Sequence, residues 1–290
     1  MPLLKSSFLS YLLLVSAITI PYCQVIGYCV RRQVPLLTRF SRSKCTKLHS
    51  NKDLSEGARR TLDLCNGDIN MATQMMFQED KTTDGRARMW NAIAEFLPLS
   101  ESEGISPRVT KKLQNIADLC VQTKDKKKQG RVLDVGAGSG LLVPMLKKAG
   151  LQIAKNYVGL DLSNVMIEQL RRKYPPVCTH VGDFLGWQPE EEGQFDTVLL
   201  NGVLQYNPDP LELVRKAAKI SSKIIILSHY RGLAFIDEEK GKMPGQIWDM
   251  PSREALRGAL VGSDWVLDEK CSRADHECKD FYLLVLRKVG

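Results

Sequence analysis

The sequence predicts an α/β protein with a mostly parallel sheet. Three observations lead there. Five short apolar runs each end on a polar residue, amphipathic helical patterns separate them, and the first run stops in closely spaced glycines with a helix directly after. Strands that alternate with helices need crossover connections, and a sheet wound that way is parallel and covered on both faces.

Taken from the N-terminus, residues 1–52 read as a leader. No Asp or Glu precedes Asp53, and the eight Lys and Arg of this stretch equal the whole formal charge of +8; the remaining chain holds 33 basic and 33 acidic residues. Basicity is therefore a property of the leader and not of a nucleic-acid-binding face. Lys5 precedes an uncharged run from Ser6 to Val30, densest in apolar residues between Phe8 and Ile20. That core has the length of a signal-peptide h-region, short of the ~20 apolar residues of a full span. If it were retained, the run over residues 6–30 would contact a membrane. From Arg31 to Lys52 the chain is rich in Arg, Lys, Ser and Thr, a transit-peptide composition. Signal-like and transit-like parts in that order resemble the bipartite leaders of proteins sent to plastids of secondary endosymbiotic origin. A mitochondrial leader and a membrane anchor of the secretory system are the alternatives.

Residues 53–129 carry no strand pattern and read as a helical extension, too short and mixed for a core of their own. Asp68–Gln78, Arg86–Phe96 and Pro107–Cys120 have helical spacing, the last with Val109, Leu113, Ile116 and Ala117 on one stripe. The run Lys124–Lys128 reads as a solvated linker.

The third unit, residues 130–290, holds the strands. The first, from Arg131 to Val135, opens into Gly136, Gly138 and Gly140, which allow a tight turn and a close backbone approach to a ligand beside a helix N-terminus. A dinucleotide fingerprint would place its third glycine at position 141, where this chain has Leu141. A helix follows with Leu141, Leu142, Met145 and Leu146 on one stripe. The second strand, Asn156–Asp161, ends in a carboxylate 21 residues beyond Gly140, and an acid there can accept both hydroxyls of a ribose. Val165, Met166, Leu170 and Tyr174 mark the next helix, which ends before Pro175-Pro176. The third strand, Val177–Asp183, again ends in an acid, followed by Phe184. Asp183 suits an adenine amino group and Phe184 the ring. The fourth strand, Phe195–Asn201, leads through Tyr206 into Asn207-Pro-Asp-Pro210, a loop and helix start. The fifth is Lys223–His229. Ser252–Leu260 reads as a helix capped by Ser252, and Trp265–Lys270 and Phe281–Leu286 as two strands around a long charged loop. Five cysteines remain outside the leader, an odd number without a C-x-x-C, which excludes a disulfide framework and suits a reducing compartment. Cys271, His276 and Cys278 share one loop without a fourth ligand, so no metal site is expected.

The G-x-G-x-G loop with Asp134 two residues before it, and acids after the second and third strands, resembles the class I S-adenosylmethionine-dependent methyltransferases over residues 130–288. The resemblance implies a Rossmann-like, seven-stranded, mostly parallel sheet with an antiparallel last strand. It also implies an N-terminal helical lid and S-adenosyl-L-methionine as cofactor. Carried over, Asp134, Gly136, Ala137, Gly138 and Gly140 belong to the methionine end, Asp161 and Leu162 to the ribose, Asp183 and Phe184 to the adenine, and Asn201 to the end of the fourth strand beside them.

A sulfonium methyl is already activated, so such an enzyme mainly holds the acceptor in line and excludes water. Candidates at the sheet edge are Asn201, Tyr206, His229 and Tyr230, with His229 as a general base for a hydroxyl and Tyr206 and Trp248 lining a pocket. His180 lies inside the third strand and reads as structural. Asn201-Gly-Val-Leu replaces the Asn/Asp-Pro-Pro-aromatic of many amino methyltransferases of bases and glutamine, and the unit is neutral. A small-molecule acceptor is therefore expected over nucleic acid. A cofactor-binding scaffold without activity is the other reading, and an RNA or protein methyltransferase a further one.

Overall fold

The computed structural model describes residues 82–96, 107–121, 130–189, 195–230, 251–274 and 281–289, with Arg59 and Asp63 as single positions. They belong to a compact unit running from Asp53 to Gly290. The leader expected over residues 1–52, the helix expected at 68–78, the linker expected at 124–128, Trp248, His276 and Cys278 lie outside the described residues.

The strands are β1 (Val132–Val135), β2 (Tyr157–Asp161), β3 (Cys178–Val181), β4 (Phe195–Asn201), β5 (Ser221–Tyr230), β6 (Trp265–Leu267), β7 (Arg273–Ala274) and β8 (Phe281–Lys288). Their order is β3-β2-β1-β4-β5-β8-β6, with β7 paired to β8 off that path. Strands β1 to β5 run parallel, and β8 is antiparallel to both β5 and β6. This is the doubly wound arrangement expected, with one reversed strand. The short β7 was not expected, since the sequence there reads as charged loop. Asp268 makes it by ending β6 in a turn: its Oδ1 accepts from the amides of Lys270 and Cys271, at 3.1 Å each. The returning chain then buries Ser272, whose Oγ accepts from the Val285 amide at 3.0 Å.

Alternation along the strands sorts side chains into two helical layers. Val132, Tyr157, Leu199, Ile224 and Val285 face α2 (Pro107–Cys120), α3 (Val143–Lys148) and α5 (Asn164–Lys173). Leu133, Val158, Leu200, Ile225 and Leu284 face α6 (Pro210–Ile220) and α7 (Arg253–Ala259), while α4 (Ile153–Asn156) is a single turn before β2. Both faces are covered, which is why these strands read as unbroken apolar runs.

Four of the helices begin where a side chain satisfies a free amide. Ser163 Oγ accepts from the Met166 amide, Asp209 from Glu212 with Pro210 directly after it, and Ser252 from Ala255. The N-terminal α1 (Thr83–Phe96) starts on Thr82, whose hydroxyl accepts from the Gly85 amide at 3.1 Å. Strand β3 is the exposed edge, and Arg171 closes it by donating to the hydroxyl and carbonyl oxygens of Thr179 at 2.7 and 3.2 Å.

Candidate functional site

The C-terminal ends of β1, β2 and β4 converge with α1. At the end of β1 the chain turns through Gly136 at φ 72°, Gly138 at φ 54° and Gly140 at φ 90°, a left-handed series closed to side chains with a Cβ. The amides of Gly136 and Ala137 both donate to the Leu160 carbonyl, at 2.8 and 3.1 Å, which ties the loop to the end of β2.

The three glycines serve different ends. A Cβ at Gly138 would meet nothing within 4 Å, so the backbone there borders open space. At Gly140 it would come within 2.5 Å of Leu170 Cδ1 and 3.1 Å of the Tyr174 ring, because this buried glycine packs the loop on α5. At Gly136 it would strike Val203, just after β4. Gly138 is thus turned outward to the ligand side, and its neighbours bring β1, β4 and α5 together.

Asp161 closes β2 with a buried carboxylate. Its Oδ2 accepts from the Gly138 amide at 2.8 Å and its Oδ1 from the Ser163 amide at 2.8 Å. Burial pushes this carboxyl above its usual range, and the amides of Ser163, Gly138 and Leu162 pull it back down. Both oxygens are held by backbone amides and keep acceptor capacity, the requirement for gripping two ribose hydroxyls. Leu162 is half-buried beside it.

After β3, Asp183 is half-exposed, whereas Phe184 is buried in the core between the sheet and α6. The Lys216 ammonium lies 5.4 Å from the Phe184 ring centroid and donates to the carbonyls of Leu185 and Trp187. The ring expected to lie on a base instead anchors the loop that carries Asp183. His180 on β3 is exposed, its ring 5.5 Å from that of Trp187.

Asn201, the last residue of β4, is oriented by Ser228 of β5, whose hydroxyl donates to Asn201 Oδ1 at 2.8 Å. The chain then forms a 3-10 turn, Leu204–Tyr206. Tyr206 meets Trp90 of α1 edge to face with centroids 5.0 Å apart, and burial raises its hydroxyl above the ordinary tyrosine range. His229 occupies the penultimate position of β5, in register with Tyr282.

Asp134 stands apart from the open edge. It lies inside β1 on the α2 side, 3% exposed, and accepts at Oδ2 from the Tyr157 hydroxyl at 2.8 Å. Burial pushes its carboxyl up to about 7 against the pull of that hydrogen bond. The same burial pushes Tyr157 and the neighbouring Cys120 thiol upward.

Sequence reasoning missed the residues that fasten α1 over this edge. Asn91 Oδ1 accepts from Ser163 Oγ at 2.6 Å, two residues past Asp161, and the Arg86 guanidinium donates to the Tyr206 carbonyl at 3.2 Å. Only Ser163 carried a signal, as a cap residue before an apolar helical stripe.

Fold and site together define a protein that holds a nucleoside-containing cofactor at the C-terminal edge of a doubly wound sheet. Residues 132–222 match the family model described as a methyltransferase domain. The chain thus carries a class I S-adenosylmethionine-dependent methyltransferase domain. It is 29% identical over 145 residues to a ubiquinone biosynthesis O-methyltransferase of Ralstonia nicotianae, covering 49% of this chain and 55% of that protein. It is 30% identical over 145 residues to one of Aliivibrio fischeri, covering 48% and 56%. The chain spans about half the length of these curated relatives. Among solved structures, the plantazolicin methyltransferase BpumL, in complex with a pentazolic desmethylPZN analog and SAH, shares the fold. Its TM-score is 0.51 at 13% identity, over 75% of this chain and 100% of that one.

The residues present fit such a cofactor. The open face of Gly138 and the buried Asp161 acceptor beside it suit the methionine end and the ribose, and the half-exposed Asp183 suits the adenine amine.

Proposed function

We propose that this chain transfers the methyl group of S-adenosyl-L-methionine to a small-molecule acceptor, through an oxygen of an aromatic compound. The observation that carries the cofactor half is the junction of Asp161 with Gly138, a buried carboxylate bonded to the loop glycine at which a Cβ would meet no atom within 4 Å. The acceptor half is supported by the O-methyltransferase relatives and by the aromatic wall of Trp90 and Tyr206 beside the loop after β4.

When bound, the cofactor supplies a methyl already activated for displacement, so the protein's work is placement and exclusion of water. Asp161 fixes the ribose and the glycine loop the amino-acid end. Helix α1, held by Asn91 and Arg86, covers the site. Tyr206, a phenol whose hydroxyl burial raises further above the ordinary tyrosine range, serves as a hydrogen-bond donor and not as a base. His229, on the same sheet edge, is the candidate to take a proton from an acceptor hydroxyl.

Calorimetric titration of S-adenosylmethionine, S-adenosylhomocysteine and NADH into the full chain tests the cofactor. The two sulfur nucleosides should bind and NADH should not. Formation of S-adenosylhomocysteine with a panel of catechols and quinols, absent with their O-methylated forms, tests the acceptor atom. A folded protein that binds none of the three nucleosides would sink the reading. The acid-free leader supports delivery to a plastid, and fusion of residues 1–52 to a fluorescent protein in an alga with secondary plastids tests it; retention in the secretory membranes or capture by mitochondria would refute it.

A further inference from the structure

Strand β3 carries a pair of metal-ligating side chains that neither the core nor the cofactor edge uses. Cys178 and His180 stand two residues apart, so both project from the same face of the strand, the one shared with Val158 and Leu160 of β2. Both are exposed at the open edge of the sheet. Cys178 Sγ lies 3.9 Å from His180 Nε2. Thr179, between them, belongs to the other face and holds Arg171 there, which keeps that guanidinium away from the pair.

The imidazole is backed rather than free to swing. Its ring lies 5.5 Å from that of Trp187, which lies 6.3 Å from the buried ring of Phe195 and whose carbonyl accepts from Lys216. Thiolate sulfur with imidazole nitrogen is a donor set for zinc and its borderline-soft neighbours, and one that magnesium and calcium do not take. Zinc binds sulfur at about 2.3 Å and nitrogen at about 2.0–2.1 Å, which separates the two donors by about 3.5 Å at the tetrahedral angle and by about 4.4 Å when they lie opposite. The observed 3.9 Å falls between these limits, so an ion fits between the two side chains without movement of the strand. Among the described residues no third His, Cys, Asp or Glu joins them, so the other coordination positions belong to water.

We propose that Cys178 and His180 form a two-ligand site for zinc, or for an ion of the same borderline-soft class, on the open edge of the sheet. Binding replaces the Cys178 S–H bond by a sulfur–metal bond and uses the lone pair of His180 Nε2; the thiol proton leaves to solvent and no oxidation state changes. The proposal stands without the methyltransferase reading.

The chain holds eight cysteines, so the test is read at Cys178 alone. Peptide mass spectrometry follows the addition of N-ethylmaleimide to Cys178 over a series of zinc concentrations, for the full chain and for His180→Gln and His180→Asn. Buried Cys120, in the same digest, reports that each fold is intact. Zinc should slow the reaction at least tenfold at saturation, magnesium should leave it within twofold, and the zinc concentration for half protection should rise at least tenfold in both variants. In the unmodified chain, acylation of His180 by diethyl pyrocarbonate should be blocked over the same zinc range. Half protection within threefold of the unmodified chain in a variant whose Cys120 stays unreactive would mean a thiol acting alone, and would overturn the proposal. A His180 that stays reactive where Cys178 is protected overturns it without any variant, as would equal protection by magnesium or none by zinc.

Discussion

Replacing Gly138 and Gly140 by alanine, one at a time, separates the ligand-facing part of the loop from its packing part. Both glycines are left-handed, at φ 54° and 90°, so each alanine meets a backbone cost of about 1–2 kcal/mol, offset by about 0.4–1 kcal/mol from the stiffer unfolded chain. Gly138→Ala adds nothing further, because its methyl meets no atom within 4 Å. The net loss is about 1 kcal/mol, a drop in Tm of roughly 2–4 °C for a domain of this size. Gly140→Ala also drives a methyl to 2.5 Å from Leu170 and 3.1 Å from Tyr174. Overpacking of that kind costs about 1–3 kcal/mol more, which makes the total roughly 2–4 kcal/mol and the drop some 5–15 °C. Binding should run the other way. The Gly138 methyl occupies space a cofactor needs and should weaken S-adenosylhomocysteine at least tenfold, about 1.4 kcal/mol, whereas Gly140→Ala should bind normally below its own Tm. Scanning calorimetry with and without ligand reads both quantities. Normal affinity in Gly138→Ala, or an equal Tm loss in the two variants, would refute the division of roles.

Three further outcomes follow from the same geometry. Asp134 keeps its proton in the folded chain up to about pH 7, whereas the unfolded carboxyl releases it near 4, so the folded state binds more protons in that window. Stability from this group is fully present below about pH 4 and lost as pH rises through 7; Asp134→Asn should flatten the slope by about 2–4 kcal/mol in urea unfolding between pH 4 and 8, and parallel slopes would contradict the assignment. Asn91→Ala removes the acceptor of the Ser163 hydroxyl, at a cost of about 1 kcal/mol, and should accelerate amide exchange in α1 while leaving α6 unchanged. Lys216→Met leaves the Leu185 and Trp187 carbonyls without their donor and should weaken S-adenosylhomocysteine several-fold; Lys216→Arg should restore most of it, and equal affinity in all three forms would place the loop outside the cofactor site.

Residues whose partners are local could be read in advance. Strand β4 has the expected bounds because Val198, Leu199 and Leu200 put buried apolar side chains on both of its faces. Ser252 and Asp209 cap the helices they precede, a relation confined to three residues. Strand β3 is shorter than expected because the edge of the sheet bends away at Gly182, whose amide turns back to the Asp161 carbonyl at 2.9 Å. The acids after β2 and β3 are legible as strand-end carboxylates, but the fate of Phe184 is not, since it depends on Lys216 arriving from α6. Arg86 and Asn91 were illegible for the same reason: their partners lie 120 and 72 residues away. Asp134 shows what was available and unused. Strand parity puts it on the face of Val132, toward α2, and away from that of Leu133 and Val135.

Strand β8 is made after every other strand, yet it lies between β5 and β6 and bonds to both. During synthesis the sheet therefore waits. Strands β1 to β5 can assemble in order, but the far side of β5 is an open edge and β6 has no neighbour until residues 281–288 arrive. Such an edge invites pairing with another chain. Loss of even the last strand would cut the sheet through its interior and leave Trp265–Leu267 unattached, whereas a tag placed beyond residue 288 would extend from a strand already fixed on both sides.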